Sequence, residues 1–235
     1  MIKNAKRIAL YLIGLLIIAL GINVSKLSGL GISPVSSIPG VLAKQFPNFS
    51  LGSMVIIVYC ILVLAQAAVL RKGFKIKNTL GVPVALIFGL MVDFVGTAEF
   101  KLTIAGIPLG IDKVFRGLLV SFPQPQGVIM RFVYLAASII IIGTGVYIYL
   151  LPKLVPMPAE GLAVAISAVS GKAFGNCKTA VDVSLIAIAS VLQMIFFGGI
   201  ASFGIGKAVV GIGTVLSAVC VGQTVKALNK ILKHR

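Results

Sequence analysis

An all-α, polytopic membrane fold follows from three features of this sequence. Its mean hydropathy is +1.12, charged residues make up only 11% of it, and its apolar residues gather into six runs, each long enough to cross a bilayer. Soluble domains carry about a quarter charged residues. A spanning helix needs about 20 residues at 1.5 Å rise for a hydrocarbon core of roughly 30 Å.

The first predicted span is Ile8 to Lys26. Its basic "MIKNAKR" lead has the look of a secretory signal, but no A-x-A-like site follows and the rest of the chain is as apolar, so an uncleaved helix is expected. The other spans are predicted at Leu51 to Leu70, Leu80 to Ala98, Phe132 to Leu151, Val183 to Phe203 and Ala208 to Val225. Tyr11, Tyr134, Tyr147 and Tyr149 fall near predicted helix ends, where interfacial aromatics belong, whereas Tyr59 falls within the second span.

The net charge of +16 does not point to nucleic acid. That reading needs a basic stripe on a polar surface, and here Lys and Arg sit in short clusters between apolar runs. Topology accounts for the charge: with the N-terminus inside, fourteen of the 21 Lys and Arg fall on cytoplasmic segments. The connection from Glu99 to Arg131 disagrees, since it would be external yet carries Lys101, Lys113, Arg116 and Arg131. Within it, "LGIDKVFRGLLVSF" is expected to form an amphipathic interfacial helix.

Cys60, Cys177 and Cys220 lie far apart without a CxxC, and His234, the only histidine, sits in the basic tail. No metal site, cofactor or disulfide framework is predicted. HExxH and G-x-S-x-G are both absent, which leaves little support for an intramembrane enzyme.

The two halves repeat. Gly21 and Pro34 recur 124 residues on as Gly145 and Pro158, and "KQFPN" at Lys44 to Asn48 recurs as "KAFGN" at Lys172 to Asn176. With three spans in each half, the second copy must enter the membrane inverted. The expected organisation is residues 1–98 as the first repeat, 99–128 as a connecting loop and 129–235 as the second repeat. Inverted repeats of this kind are characteristic of secondary transporters, whose sites lie at the midplane where helices break.

The breaks are "SPVSSIPGVLAKQF" and "MPAEGLAVAISAVSGKAF". Each opens with a proline suited to the first helical position and is too short to cross, so two half-helices or re-entrant segments are expected. Their N-termini would favour an anion, with Ser33, Ser36 and Ser37 as hydrogen-bonding groups beside Pro34, and Gly161 beside Pro158. These serines could equally serve only as caps.

Glu160, in the first turn of the second half-helix, is read as a cap or a proton-coupling acid. Lys178 and Asp182, four residues apart, share a helical face as a salt bridge or a substrate clamp. Lys172 and Lys44 are equivalent in the two repeats, which suits a shared role in attracting an anion; for Lys44, snorkelling to the headgroups is the favoured reading. Asp93, alone in the third span, would pair with a Lys or a proton. Gln66 and Gln193 read as helix–helix hydrogen bonders, and Gly81, Gly89, Gly211 and Gly213 permit close packing within the subunit or between subunits of a homo-oligomer.

"GLGISPVSSIPGVL", "LRKGFK", "VPVALIFGLMVDF" and "MPAEGLAVAIS…GKAFGNCKTAVDVSL" together resemble the YczE/YitT-type bacterial integral membrane proteins. The resemblance covers the chain apart from roughly residues 96–126 and implies a multi-pass protein of the plasma membrane. Pro158, Glu160, Gly161, Lys178 and Asp182 match the family pattern. In the first half, Val35 and Ser36 stand where many relatives have Trp-Asp, so the role of that acid does not carry over. The expected function is secondary transport of a small polar solute, with anions among the candidates and Glu160 or Asp182 as proton-coupling groups. The alternative is a non-transporting accessory or regulatory protein of the membrane.

Overall fold

The computed structural model describes residues 2–96, 103–104, 107–108, 123, 125–199, 203–204 and 208–233. Helix α1 (Ile2–Ser28) leads into a short α2 (Pro34–Gln45), then α3 (Leu51–Leu70), a 3-10 turn at Arg71–Gly73, the single turn α4 (Ile76–Thr79) and α5 (Gly81–Gly96). A two-residue ladder, Thr103–Ile104 with Ile107–Pro108, follows. The second half comprises α6 (Val128–Leu150), the short α7 (Pro158–Ser170), α8 (Phe174–Phe197) and α9 (Ile212–Lys233). The anticipated interfacial helix at residues 109–122 lies outside the described residues.

Helices α1, α3, α6 and α8 are each long and apolar enough to cross a membrane. The third and sixth predicted spans do not meet that standard. Helix α5 has 16 residues, about 24 Å. Helix α9 begins at Ile212 rather than Ala208 and continues through Lys226 and Lys230 to Lys233, so its second half is polar. Helix α8 starts nine residues earlier than the predicted Val183 and ends at Phe197 rather than Phe203.

Proline at the first helical position starts both short helices, where its missing N–H costs nothing. At 12 and 13 residues they reach about 18–20 Å, short of a bilayer core. The chain before α2 is irregular backbone inside protein. Ser25 Oγ donates to the Gly31 carbonyl at 2.9 Å, and the Ile32 N–H donates to Val209 at 3.0 Å. Gly31, at φ +124°, lies where a Cβ would run into Thr214 and Gly211. Gln193 is likewise committed: its Oε1 accepts from the Val209 and Val210 amides and its Nε2 donates to Val210, clamping the approach to α9.

The helices pack in reciprocal pairs. Helix α1 lies along α6, with close approach at small residues: a Cβ on Gly145 would stand 2.8 Å from the Ile18 nitrogen, and one on Gly21 would stand 2.5 Å from Ile142. Short α2 packs on α3 and α8, and short α7 packs on α8 and α3. Helix α5 packs on α1 as α9 packs on α6, and each also touches the short helix of the other half.

One contact has no counterpart among the described residues: α3 packs closely on α5, whereas α8 and α9 form no comparable interface. The α3–α5 contact is tight because Gly52 and Gly89 face each other, each filling the space a Cβ would need on the other helix.

Candidate functional site

A cavity of about 450 Å³ lies where α8 and α9 fail to meet. This volume falls within the usual range of small-molecule sites, roughly 300–1,000 Å³. Lys178, Thr179 and Asp182 line it from α8; Ala218, Gly222 and Lys226 line it from α9. Its floor is formed by both short helices, through Ser33, Pro34, Val35 and Ser36 of the first and Met157 and Glu160 of the second. Thus the starts of the two half-helices share one cavity.

At the α2 start, Ser33 occupies the N-cap position but makes no side-chain cap bond. Ser37 is buried, and its hydroxyl is committed to the Pro34 carbonyl at 2.6 Å. Ser36 differs: it is fully buried, faces the cavity, and its hydroxyl has no hydrogen-bond partner in the structure. Ser217, the other such hydroxyl among the described residues, is not part of the cavity wall.

At the α7 start, Met157 stands at the N-cap and cannot cap with its side chain. Glu160 Oε2 instead accepts a 2.7 Å hydrogen bond from the Tyr149 hydroxyl. Pro158 and Gly161 are buried and support the turn from behind. Gly161 sits against Gln66, whose amide nitrogen would be 3.1 Å from an added Cβ. Lys178 Nζ pairs with Asp182 Oδ1 at 2.7 Å. Among the described residues this is the ion pair of the cavity, and Glu160 has no Lys or Arg within bonding distance.

Two residues singled out from the sequence lie elsewhere. Lys172 is exposed in the turn after α7, where its carbonyl accepts from Ser167 Oγ at 2.7 Å. Asp93 is buried at the α3–α5 contact, accepting from the Gly52 N–H at 2.7 Å and from the Ser50 hydroxyl, and so caps α3. Its partners include a hydroxyl and an amide at a helix start, a role that sequence position alone does not reveal.

The sequence does not mark Tyr149, Tyr59, Thr179 or Lys226 as residues of the site. Their place near helix ends predicts an interfacial position for Tyr11 and Tyr149. Both are buried; their rings meet edge to face at 5.8 Å, and the Tyr11 hydroxyl donates to the Val155 carbonyl at 2.8 Å. A tyrosine near a helix end satisfies the same hydrophobic pattern whether its hydroxyl reaches headgroups or a buried acceptor.

A second cavity, about 460 Å³, lies toward the other end of α2, lined by Lys26, Lys44 and Ser50 among others. Along α1, α2 and α3 the residues of the two cavities do not overlap: Lys26 lies beyond Ile18 and Ile22, Lys44 beyond Pro34, Val35 and Ser36, and Leu51 before Tyr59. The first is lined by Phe174 and Gly175 at the start of α8 and by Lys226 of α9, and the second by Lys26 and Lys44 near the C-terminal ends of α1 and α2. Lys44 Nζ lies 4.6 Å from the Phe197 ring centre.

Comparison with known proteins finds the model of a family of unknown function, DUF6198, matching residues 5–230. The chain is also similar to a Bacillus subtilis (strain 168) protein named "Uncharacterized protein YyaS", at 28% identity over 212 residues, covering 90% of this chain and 86% of the relative. No solved structure matches.

Proposed function

We propose that this chain, which belongs to the family of unknown function DUF6198, is a secondary transporter of a small polar solute across the bacterial plasma membrane. In this reading it is built as two inverted three-helix repeats, with both termini cytoplasmic. The motif resemblance to YczE/YitT-type proteins and the distribution of Lys and Arg support the location and orientation.

One observation carries the reading. The helix contacts are reciprocal between the halves except at α8–α9, whose counterpart α3–α5 is closed, and the cavity that holds Glu160, Lys178 and Asp182 lies in that gap. An inverted repeat that adopts two unlike halves has a second state of similar energy in which the halves exchange shapes, which is alternating access. The cavity on the α1 N-terminal side then represents the open half, and α3–α5, latched by Asp93, the closed one. Glu160 is the coupling group: a carboxylate amid a helical bundle is costly, and its partner is a neutral phenol.

Purified protein in liposomes tests the proposal. Solute-dependent proton flux that is lost in Glu160→Gln and Asp182→Asn supports transport. Absence of flux and of thermal stabilisation across a broad solute panel assigns the chain to an accessory role.

A further inference from the structure

We infer that the α8–α9 cavity selects a small zwitterion carrying one carboxylate, one ammonium group and an apolar body, the chemistry of an apolar α-amino acid. This deepens the transport reading and rests on it for the purpose of binding, but its test does not require flux.

The polar groups of the cavity divide into those already satisfied and those left over. Lys178 and Asp182 neutralise each other at 2.7 Å. Ser37 is bound to its own helix. Thr179 is bound to the Gly175 carbonyl at 3.0 Å. Among what remains is a pair of opposite character. Ser36 offers a fully buried, unpartnered hydroxyl in the first turn of α2, beside an N-cap serine that makes no cap bond. Pro34 has no N–H and the Ser36 amide is spent on the Ser33 carbonyl, so the Ser36 hydroxyl and the positive end of the α2 dipole are what favour a carboxylate. Glu160 offers a carboxylate in no ion pair of its own among the described residues, held in position by Tyr149 and attracted at longer range by Lys178 on the same wall. That group favours an ammonium.

The wall between these two poles is apolar: Ile18, Ile22, Ile142, Val146 and Val221 face the cavity. An anion alone would satisfy Ser36 and leave Glu160 buried beside like charge. A cation alone would leave the hydroxyl and the helix start without an acceptor. A zwitterion satisfies both, and a hydrocarbon side chain covers the wall. Lys178, Asp182 and Lys226 also face the cavity, but the first two are paired and the third is on the exposed C-terminal half of α9.

The test is equilibrium binding to the purified full chain in detergent, read by thermal shift and calorimetry. The probes are L-valine, L-leucine and L-phenylalanine, with 4-methylpentanoate and isopentylamine as analogues of leucine lacking the ammonium and the carboxylate. At least one amino acid should bind, with both analogues at least tenfold weaker than leucine. Ser36→Ala should weaken the amino acid roughly tenfold, the loss of one hydrogen bond to a charged group, while Glu160→Gln should weaken it by at least as much and bring it level with 4-methylpentanoate. Equal binding of the monocarboxylate or the amine, or no binding by any of the three amino acids, overturns the inference. Binding without flux retires transport and keeps the zwitterion class; flux of an unrelated solute does the reverse.

Discussion

The Tyr149 hydroxyl donates a 2.7 Å hydrogen bond to Glu160 across the turn between α6 and α7. It fixes the one carboxylate of the second half-helix at the cavity wall and joins the α1–α6 pair to the site, because Tyr149 also packs on Tyr11. Tyr149→Phe should therefore destabilise the protein by about 1.5–3 kcal/mol, the usual range for a hydrogen bond to a charged group. In the background of Glu160→Gln the same change should cost less, and a double-mutant cycle on melting in detergent measures the difference.

The α1–α6 contact has no room for side chains at its glycines. Gly145→Leu should lower stability by about 1–3 kcal/mol or more through overpacking. Gly222→Ala, where nothing stands within 4 Å of an added Cβ, should instead be neutral or stabilising by up to about 1 kcal/mol. Melting temperatures of the two variants check the contrast.

Gln193 satisfies three backbone groups at once. Gln193→Leu keeps the side-chain bulk but strips those partners from the segment leading into α9, with each buried orphan costing about 1–3 kcal/mol. Faster amide exchange at residues 208–211, with α1 and α6 unchanged, is the expected signature.

Asp93 latches α3 to α5 and lines neither the α8–α9 cavity nor its mouth. Asp93→Ala should loosen that closure, at a cost of about 0.5–2 kcal/mol for a lost helix cap, while leaving the affinity for a cavity ligand unchanged within the open form. Cysteine labelling of α3 near Ser50 should rise in the variant; an unchanged rate would mean that the contact is held by packing alone.

Local chemistry made part of this architecture legible from sequence. Pro34 and Pro158 announced both half-helices, because proline at a helix start has a local cause. The i, i+4 spacing of Lys178 and Asp182 announced their pair. The start of α8 precedes the apolar run because "GNCKTAVD" is polar on the face it turns to the cavity, which lowers hydropathy without breaking the helix. The end of α9 lies beyond the apolar run for a related reason: its last turns are helical and basic. Asp93 and Tyr149 depend on the approach of separate helices, and no pattern along one strand of sequence encodes that approach.

The central claim is that the cavity at the start of α2 is reached alternately from the two faces. Val35 lines that cavity and is partly exposed within it, so a cysteine placed there, in a chain lacking Cys60, Cys177 and Cys220, reports access directly. Labelling by a membrane-impermeant maleimide, applied separately to each face of sealed vesicles, should be fast from the face of the α1 N-terminus. It should be slower but measurable from the other, with Asp93→Ala raising the second rate. Labelling from one face only, in both the parent and the Asp93→Ala chain, would contradict alternating access.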